Sequence, residues 1–249
     1  MKFCTFSGRM LSVIQYTALS LSALGLFLVD WTPVHVGVTA LFFYVYSALG
    51  VSLVLHRYYA HKAFEFRHPV LRYVFLTVSV LAARGSPLAW VHIHRQHHMN
   101  SDGPADPHKP DKLKLFSFKS TYIKQFKVFL IKDLMTKEQI FIHEYYLVLV
   151  CIWPILLGLI DTQLLYFAWL LPVCLNQIAQ DLWNYYSHVD VGYRNYSTKD
   201  NSRNVPGLWP LILGEAWHNN HHANPKDCST SKRYWEVDPL ALLTKVISK

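Results

Sequence analysis

Charge is scarce in this chain of 249 residues: 16% are Asp, Glu, Lys or Arg, against 52% apolar. That balance excludes an ordinary soluble domain and favours a single membrane-embedded domain covering residues 1–249. Cysteine is no more informative than charge. Cys4, Cys151, Cys174 and Cys228 form no pair at metal or redox spacing, which argues against both a disulfide framework and a cysteine-based zinc site. The chain also lacks a solenoid-type repeat, a low-complexity linker, a flavin motif, an iron–sulfur cysteine set and a b-type cytochrome domain. Its first apolar run has no clear small-residue cleavage site and is long enough to stay as an anchor, so no cleavable signal peptide is expected.

What the chain does have is histidine, fourteen in all. His94-Arg95-Gln96-His97-His98 is repeated in pattern more than a hundred residues later as His218-Asn219-Asn220-His221-His222. Residues three and four apart share a helix face, so each copy is expected to present three imidazoles to one side as a metal platform. Imidazole suits iron, copper, zinc and nickel; magnesium and calcium need oxygen ligands that neither copy supplies. A third element, His56-Arg57-Tyr58-Tyr59-Ala60-His61, sets two histidines five apart, a spacing that needs a distorted helix to bring them to one face. His35, His68, His92 and His143 stand alone and are read as hydrogen-bonded structural residues.

Two long apolar runs, 10–29 and 34–55, are each sufficient for a hydrocarbon core of about 30 Å, and the polar break Asp30-Trp31-Thr32-Pro33 makes them a hairpin. A second apolar pair, 145–160 and 164–180, is split by Asp161-Thr162-Gln163. The fold class expected is therefore all-α, with four transmembrane helices as two hairpins and a cytosolic helical cap made of residues 56–144 and 181–249. The segment 70–91, interrupted by Arg72, Arg84 and Pro87, is read as buried or interfacial. Residues 115–131 suit an amphipathic helix on an anionic membrane face, with a solvated basic helix as the alternative.

All 24 Lys and Arg residues fall within 1–9, 56–144 and 181–249, and none in the two proposed outer turns. By the positive-inside rule both termini and every histidine cluster lie on the cytosolic side. The net charge of +8 is thus assigned to the cytoplasmic leaflet and its membrane lipids, not to nucleic acid.

Ser47-Ala48-Leu49-Gly50 before the first histidine pair, Asp106-Pro107-His108 after the second cluster, Asn184-Tyr185-Tyr186-Ser187-His188 with Gly192-Tyr193-Arg194, and Gly214-Glu215-Ala216-Trp217 before the last cluster complete a pattern. With these motifs the chain resembles the integral-membrane fatty acyl desaturases, closest to the stearoyl-CoA and bacterial acyl-lipid branch, over roughly residues 42–235. The resemblance implies two irons held by His56, His61, His94, His97, His98, His188, His218, His221 and His222, with Asn184 reaching a metal through water. An all-nitrogen site open to oxygen agrees with redox iron, and zinc is the alternative. Asp102, Asp106 and Glu215 are candidates to orient the imidazoles, or else helix caps and surface charges.

Desaturation removes hydrogen from unactivated methylenes, which no side chain can begin, so metal-activated O2 is implied as co-substrate. An external electron donor is implied too, a ferredoxin or a b-type cytochrome. By position, Trp90 resembles a wall of the family's acyl tunnel, and Tyr44 and Ala48 resemble its closed end. His92-Ile93 stands where acyl-CoA enzymes carry Arg-Asp, so an acyl-lipid or carrier-protein substrate stands beside acyl-CoA. The branch implies a cis double bond at the ninth carbon and residence in a bacterial inner membrane or the endoplasmic reticulum. Other readings are a related diiron hydroxylase or alkane monooxygenase, a catalytically dead scaffold and, from a different class, a membrane metal transporter.

Overall fold

The computed structural model describes residues 6–111 and 126–249, and every described regular element is helical. Helix α1 covers Phe6–Leu28, α2 Pro33–Ala60, α3 Pro69–Leu81, α4 Pro87–Asn100, α5 Lys137–Glu144, α6 Tyr146–Ile160 and α7 Thr162–Tyr186. Two short helices follow, α8 at His218–Ala223 and α9 at Pro239–Ile247. Several start on a side-chain cap followed by proline: Thr32, His68, Ser86 and Asp238 each accept a backbone N–H from the first turn, and a proline stands next in the chain. Proline has no N–H to orphan there, and its fixed φ suits the first helical position.

Helices α2 and α7 are long and apolar enough to cross a membrane. A third candidate span is α5 with α6, bent by 63° at Tyr145. Both long helices outrun the apolar runs that announce them: α2 continues past Leu55 to Ala60, and α7 reaches Tyr186 instead of ending near Gln180. His56 is therefore carried on the span helix itself, with His61 as its C-cap. The apolar segment 70–91 divides at Ala82–Ser86, where Ala83 and Gly85 take positive φ, into α3 and the start of α4. Of the amphipathic segment expected over 115–131, residues 112–125 lie outside the described residues, and 126–131 show a single tight turn at Val128–Leu130.

Val34, Val36 and Leu41 on α2, and Val148, Ile152, Ile155 and Leu159 on α6, are exposed apolar side chains suited to lipid contact. Inside, Tyr46 donates to Ala168 O at 2.8 Å and accepts from Trp153 Nε1 at 3.1 Å, tying α2 to α7 and α6. Trp169 Nε1 donates to Leu81 O, and Tyr166 OH to Ser22 O, so α7 is also fastened to α3 and α1. Gly50 lets α3 approach α2 closely: a Cβ there would stand 3.1 Å from Val78 O and 3.2 Å from the Cβ of Ala82. The membrane-level helices thus converge beneath the ends that carry the histidines.

Candidate metal centre

The first histidine pair solves its spacing problem by widening the helix. His61 N donates to His56 O, five residues back, at 3.1 Å, and this i→i+5 bonding runs from Val45 to Ala60. A wider turn brings residues five apart towards one face, which an ordinary α-helix does not, and such turns occur mostly at functional sites. The second cluster rides on α4, whose start is fixed by the Ser86 cap. Arg95, inside that cluster, donates to Ala60 O, Tyr59 O and Leu130 O and pairs with both oxygens of Asp133, locking α4 against the end of α2. The third cluster sits on α8, where Asn219 and Asn220 join the helix to flanking loops through Asn195, Tyr196, Thr230 and Glu236.

Nine imidazoles gather into two groups: His56, His61, His94, His98 and His221 in one, and His97, His188, His218 and His222 in the other. Within each group one ligand atom per residue lies within 4.8 Å of all the others. The expectation that each three-histidine cluster forms one platform is corrected here, because both are split between the two groups, whereas His56 and His61 stay together. Successive helix positions are about 100° apart, so the i+3 and i+4 residues flank the first on opposite sides. His97 accordingly turns away from His94 and His98, and His221 away from His218 and His222.

The facing atoms are Nε2. His56 and His221 stand 3.0 Å apart, His61 and His94 2.7 Å, His94 and His98 3.1 Å, His98 and His221 3.0 Å, His188 and His218 3.0 Å, and His97 and His222 3.4 Å. Nitrogens about 2.1 Å from a common ion and at right angles to each other would be about 3 Å apart. The spacing is that of ligand edges around a cation.

The other ring nitrogen supports this. Nδ1 of His97 bonds Asp106 at 2.9 Å, and Nδ1 of His222 bonds Asp200 at 2.8 Å. His56 Nδ1 lies 2.9 Å from Glu215, and His188 Nδ1 lies 3.1 Å from Asp102, both close but out of line for a good hydrogen bond. A carboxylate at Nδ1 keeps the proton there and leaves the Nε2 lone pair facing inward. Inward lone pairs this close repel unless a cation lies between them. For His218 the partner of Nδ1 is instead the indole of Trp183, at 3.2 Å.

Burial, reinforced by neighbouring imidazoles, pushes His61, His94, His98, His218 and His221 well below the usual histidine range. Burial likewise lowers His222 to about 4, with Asp200 opposing. These rings are neutral at pH 7, the state that binds a metal. Burial by itself would raise the carboxyls, but His97 holds Asp106 low, His188 and the Asn201 N–H hold Asp102 low, and His56 with Arg57 hold Glu215 low. Arg57 is itself buried, bonding Glu215, Asp238 and Cys228 O.

The remaining candidates take various places. Asn184 is half-buried on α7, one turn before His188. Trp90 stacks on His94 at 4.8 Å between ring centroids and lies 6.1 Å from His56, against the five-imidazole group. Ala48 is buried on α2, and Tyr44, one turn earlier, is partly exposed with its hydroxyl bonded to Pro210 O. The four lone histidines are engaged elsewhere: His35 with Asp30 O, His68 as a cap, His92 with Lys127 N and His143 with Ser86. Asp200, Arg95, Asn219, Asn220 and Trp183 were not singled out in the sequence. Asp200 lies in a polar loop, 199–203, with nothing local to mark it.

The donor set fits a metal site, and the comparisons identify the family. Residues 30–241 match the family model for fatty acid desaturases. The chain is 31% identical over 219 residues to an sn-1 stearoyl-lipid 9-desaturase of Anabaena variabilis, covering 82% of this chain and 76% of that protein. Over 237 residues it is 32% identical to Delta-9 acyl-lipid desaturase 2 of Arabidopsis thaliana, covering 90% and 74%. Over 251 residues it is 30% identical to an sn-1 stearoyl-lipid 9-desaturase of Synechocystis, covering 95% and 76%. With its histidines gathered for metal and its helices suited to a membrane, the chain belongs to the fatty acid desaturase family and is an oxidoreductase of lipid metabolism.

Proposed function

We propose that the two imidazole groups hold two irons, and that the protein uses O2 to place a cis double bond at the ninth carbon of a saturated, lipid-linked acyl chain. The observation that carries this reading is the inward convergence of nine Nε2 atoms, several held in that tautomer by a carboxylate behind the ring. His56, His61, His94, His98 and His221 would bind one iron; His97, His188, His218 and His222 would bind the other, with Asn184 reaching it through water. When bound, the iron pair supplies the oxygen activation and hydrogen abstraction that side chains lack. The protein's own part is to hold neutral imidazoles, exclude bulk water and place the methylenes.

For placement, Trp90 is the wall beside the five-imidazole group, and Ala48 with Tyr44 closes the far end of the acyl slot. Replacing Ala48 with Phe is expected to shift products to shorter chains, read from the chain lengths of unsaturated methyl esters; an unchanged profile rejects this end of the slot. A lipid carrier is favoured over CoA because the relatives are named as lipid desaturases. His92, which by the resemblance stands where acyl-CoA enzymes carry arginine, is occupied with Lys127 N and packs on Phe126.

The four-span arrangement rests on the four apolar runs, and the distribution of Lys and Arg supports both termini and the histidines lying on the cytosolic side. A reporter inserted at Thr162 should then face away from the cytosol. The same basic face would dock an acidic donor, a ferredoxin or a b-type cytochrome, so turnover with purified donor should fall as salt rises. The deciding experiment is expression in a host lacking the unsaturated lipid, followed by mass spectrometry of the fatty acid methyl esters. Loss of two hydrogens is the expected product. An added oxygen would identify a hydroxylase instead.

A further inference from the structure

Along α7 runs a polar sector foreign to an acyl slot. Asn176, Gln177, Gln180, Asp181 and Asn184 follow one another at offsets of one, four, five and eight, covering about 12 Å of helix that ends beside His188. Asn176, Gln177 and Gln180 are buried, at 0%, 6% and 2% exposure. Gln177 donates to both oxygens of Asp181 and accepts from Gln15 of α1 at 3.3 Å, and Gln15 also donates to Ala83 O at 3.0 Å. Arg84 faces Asp181 and His108 electrostatically, and the His108 ring lies 5.4 Å from that of His97. Arg84 is half-buried beside the start of α4.

Both polar atoms of Asn176, Nε2 of Gln180 and Nε of Arg84 have no protein partner. Each such atom costs about 1–3 kcal/mol if it stays unpaired. Methylenes cannot satisfy them, whereas water can. Polar side chains inside a membrane helix commonly mark a path for ions or protons.

Resting on the desaturation reading above, we infer that this sector is a hydrated path that brings protons to the metal centre and lets product water leave. The balance requires one: R–CH2–CH2–R′ + O2 + 2 electrons + 2 H+ gives R–CH=CH–R′ + 2 H2O, with the electrons supplied by the external donor. Six of the nine proposed ligands are buried, His97 being 1% and His221 3% exposed. Gln15 of α1 stands at the end of the path away from the histidines, bonded to Gln177 and to Ala83 O. The acyl chain takes the other side of the centre, along Trp90 and Ala48.

The test reads water access directly. In a background with the four native cysteines replaced by alanine, Gln177→Cys and Gln180→Cys are compared with Leu175→Cys and the packed Ala179→Cys. Silver ion, small enough to follow water, is applied to intact membranes, and the thiols left are counted with maleimide after denaturation. Blocking at 177 and 180 should be about tenfold faster than at 175 and 179, because hydrocarbon excludes the ion. Equal rates overturn the path whether or not double bonds are made. In the protein with native cysteines, Gln180→Leu, and Asn176→Leu as a second variant, should keep their metal content while drawing more electrons per double bond and releasing reduced oxygen. An unchanged ratio in both variants also overturns it, and activity absent from the parent protein would point instead to failure of the desaturase reading.

Discussion

His97→Ala is expected to abolish double-bond formation and to lower bound iron from two to one per chain. His97 is one of four imidazoles in its group, is held by Asp106 and faces His222 at 3.4 Å. The other group, built from His56, His61, His94, His98 and His221, shares none of its donors, so it should keep its ion. Metal analysis of the purified variant separates this outcome from simple misfolding, which would release both ions together. His92→Ala, five residues away on the same helix, is the matched control: its ring meets Lys127 N outside both groups, so two irons should be retained. If His97→Ala keeps two irons and full activity, the assignment of the four-imidazole group is wrong.

Glu215→Ala is expected to be the most destabilising single change among the carboxylates around the centre. Glu215 is fully buried, with one oxygen 3.0 Å from Arg57 and the other 2.9 Å from His56 Nδ1. Removing it leaves buried Arg57 with Asp238 as its remaining carboxylate, and breaking a buried ion pair in this way costs about 3–5 kcal/mol. Glu215→Gln keeps the shape and an oxygen acceptor, so it should fold and lose mainly metal affinity, by about 10–100-fold for the five-imidazole group. Thermal melts of the metal-free proteins should rank wild type above Glu215→Gln above Glu215→Ala. An Ala variant as stable as wild type would show that Asp238 alone satisfies Arg57.

These two experiments probe different layers, and the layers differ in how far they could be read from the chain. The histidine clusters are conspicuous because such clusters are rare and their chemistry is specific: His94-x-x-His97-His98 and its counterpart at His218 stand out whatever surrounds them. The membrane helices are conspicuous because a hydrocarbon core demands long uncharged runs. The carboxylates behind the rings are less so. Asp102, Asp106 and Glu215 lie near the clusters in sequence, yet helix caps and surface charges look the same there. Asp200 gives no sign at all, since it meets His222 across 22 residues of loop and helix.

By itself, then, the sequence determined the kind of ligand, the membrane setting and the family, because those follow from side-chain chemistry and apolar length, which are local properties. The tertiary structure decided which imidazoles gather into one group. A 100° step along α4 and α8 sends neighbouring histidines to different groups, and a widened turn of α2 gathers two that an ordinary helix would part. It also decided where the polar face of α7 points. Position along the chain does not encode that direction; the packing of α1 and the turn at Arg84 against the helix does.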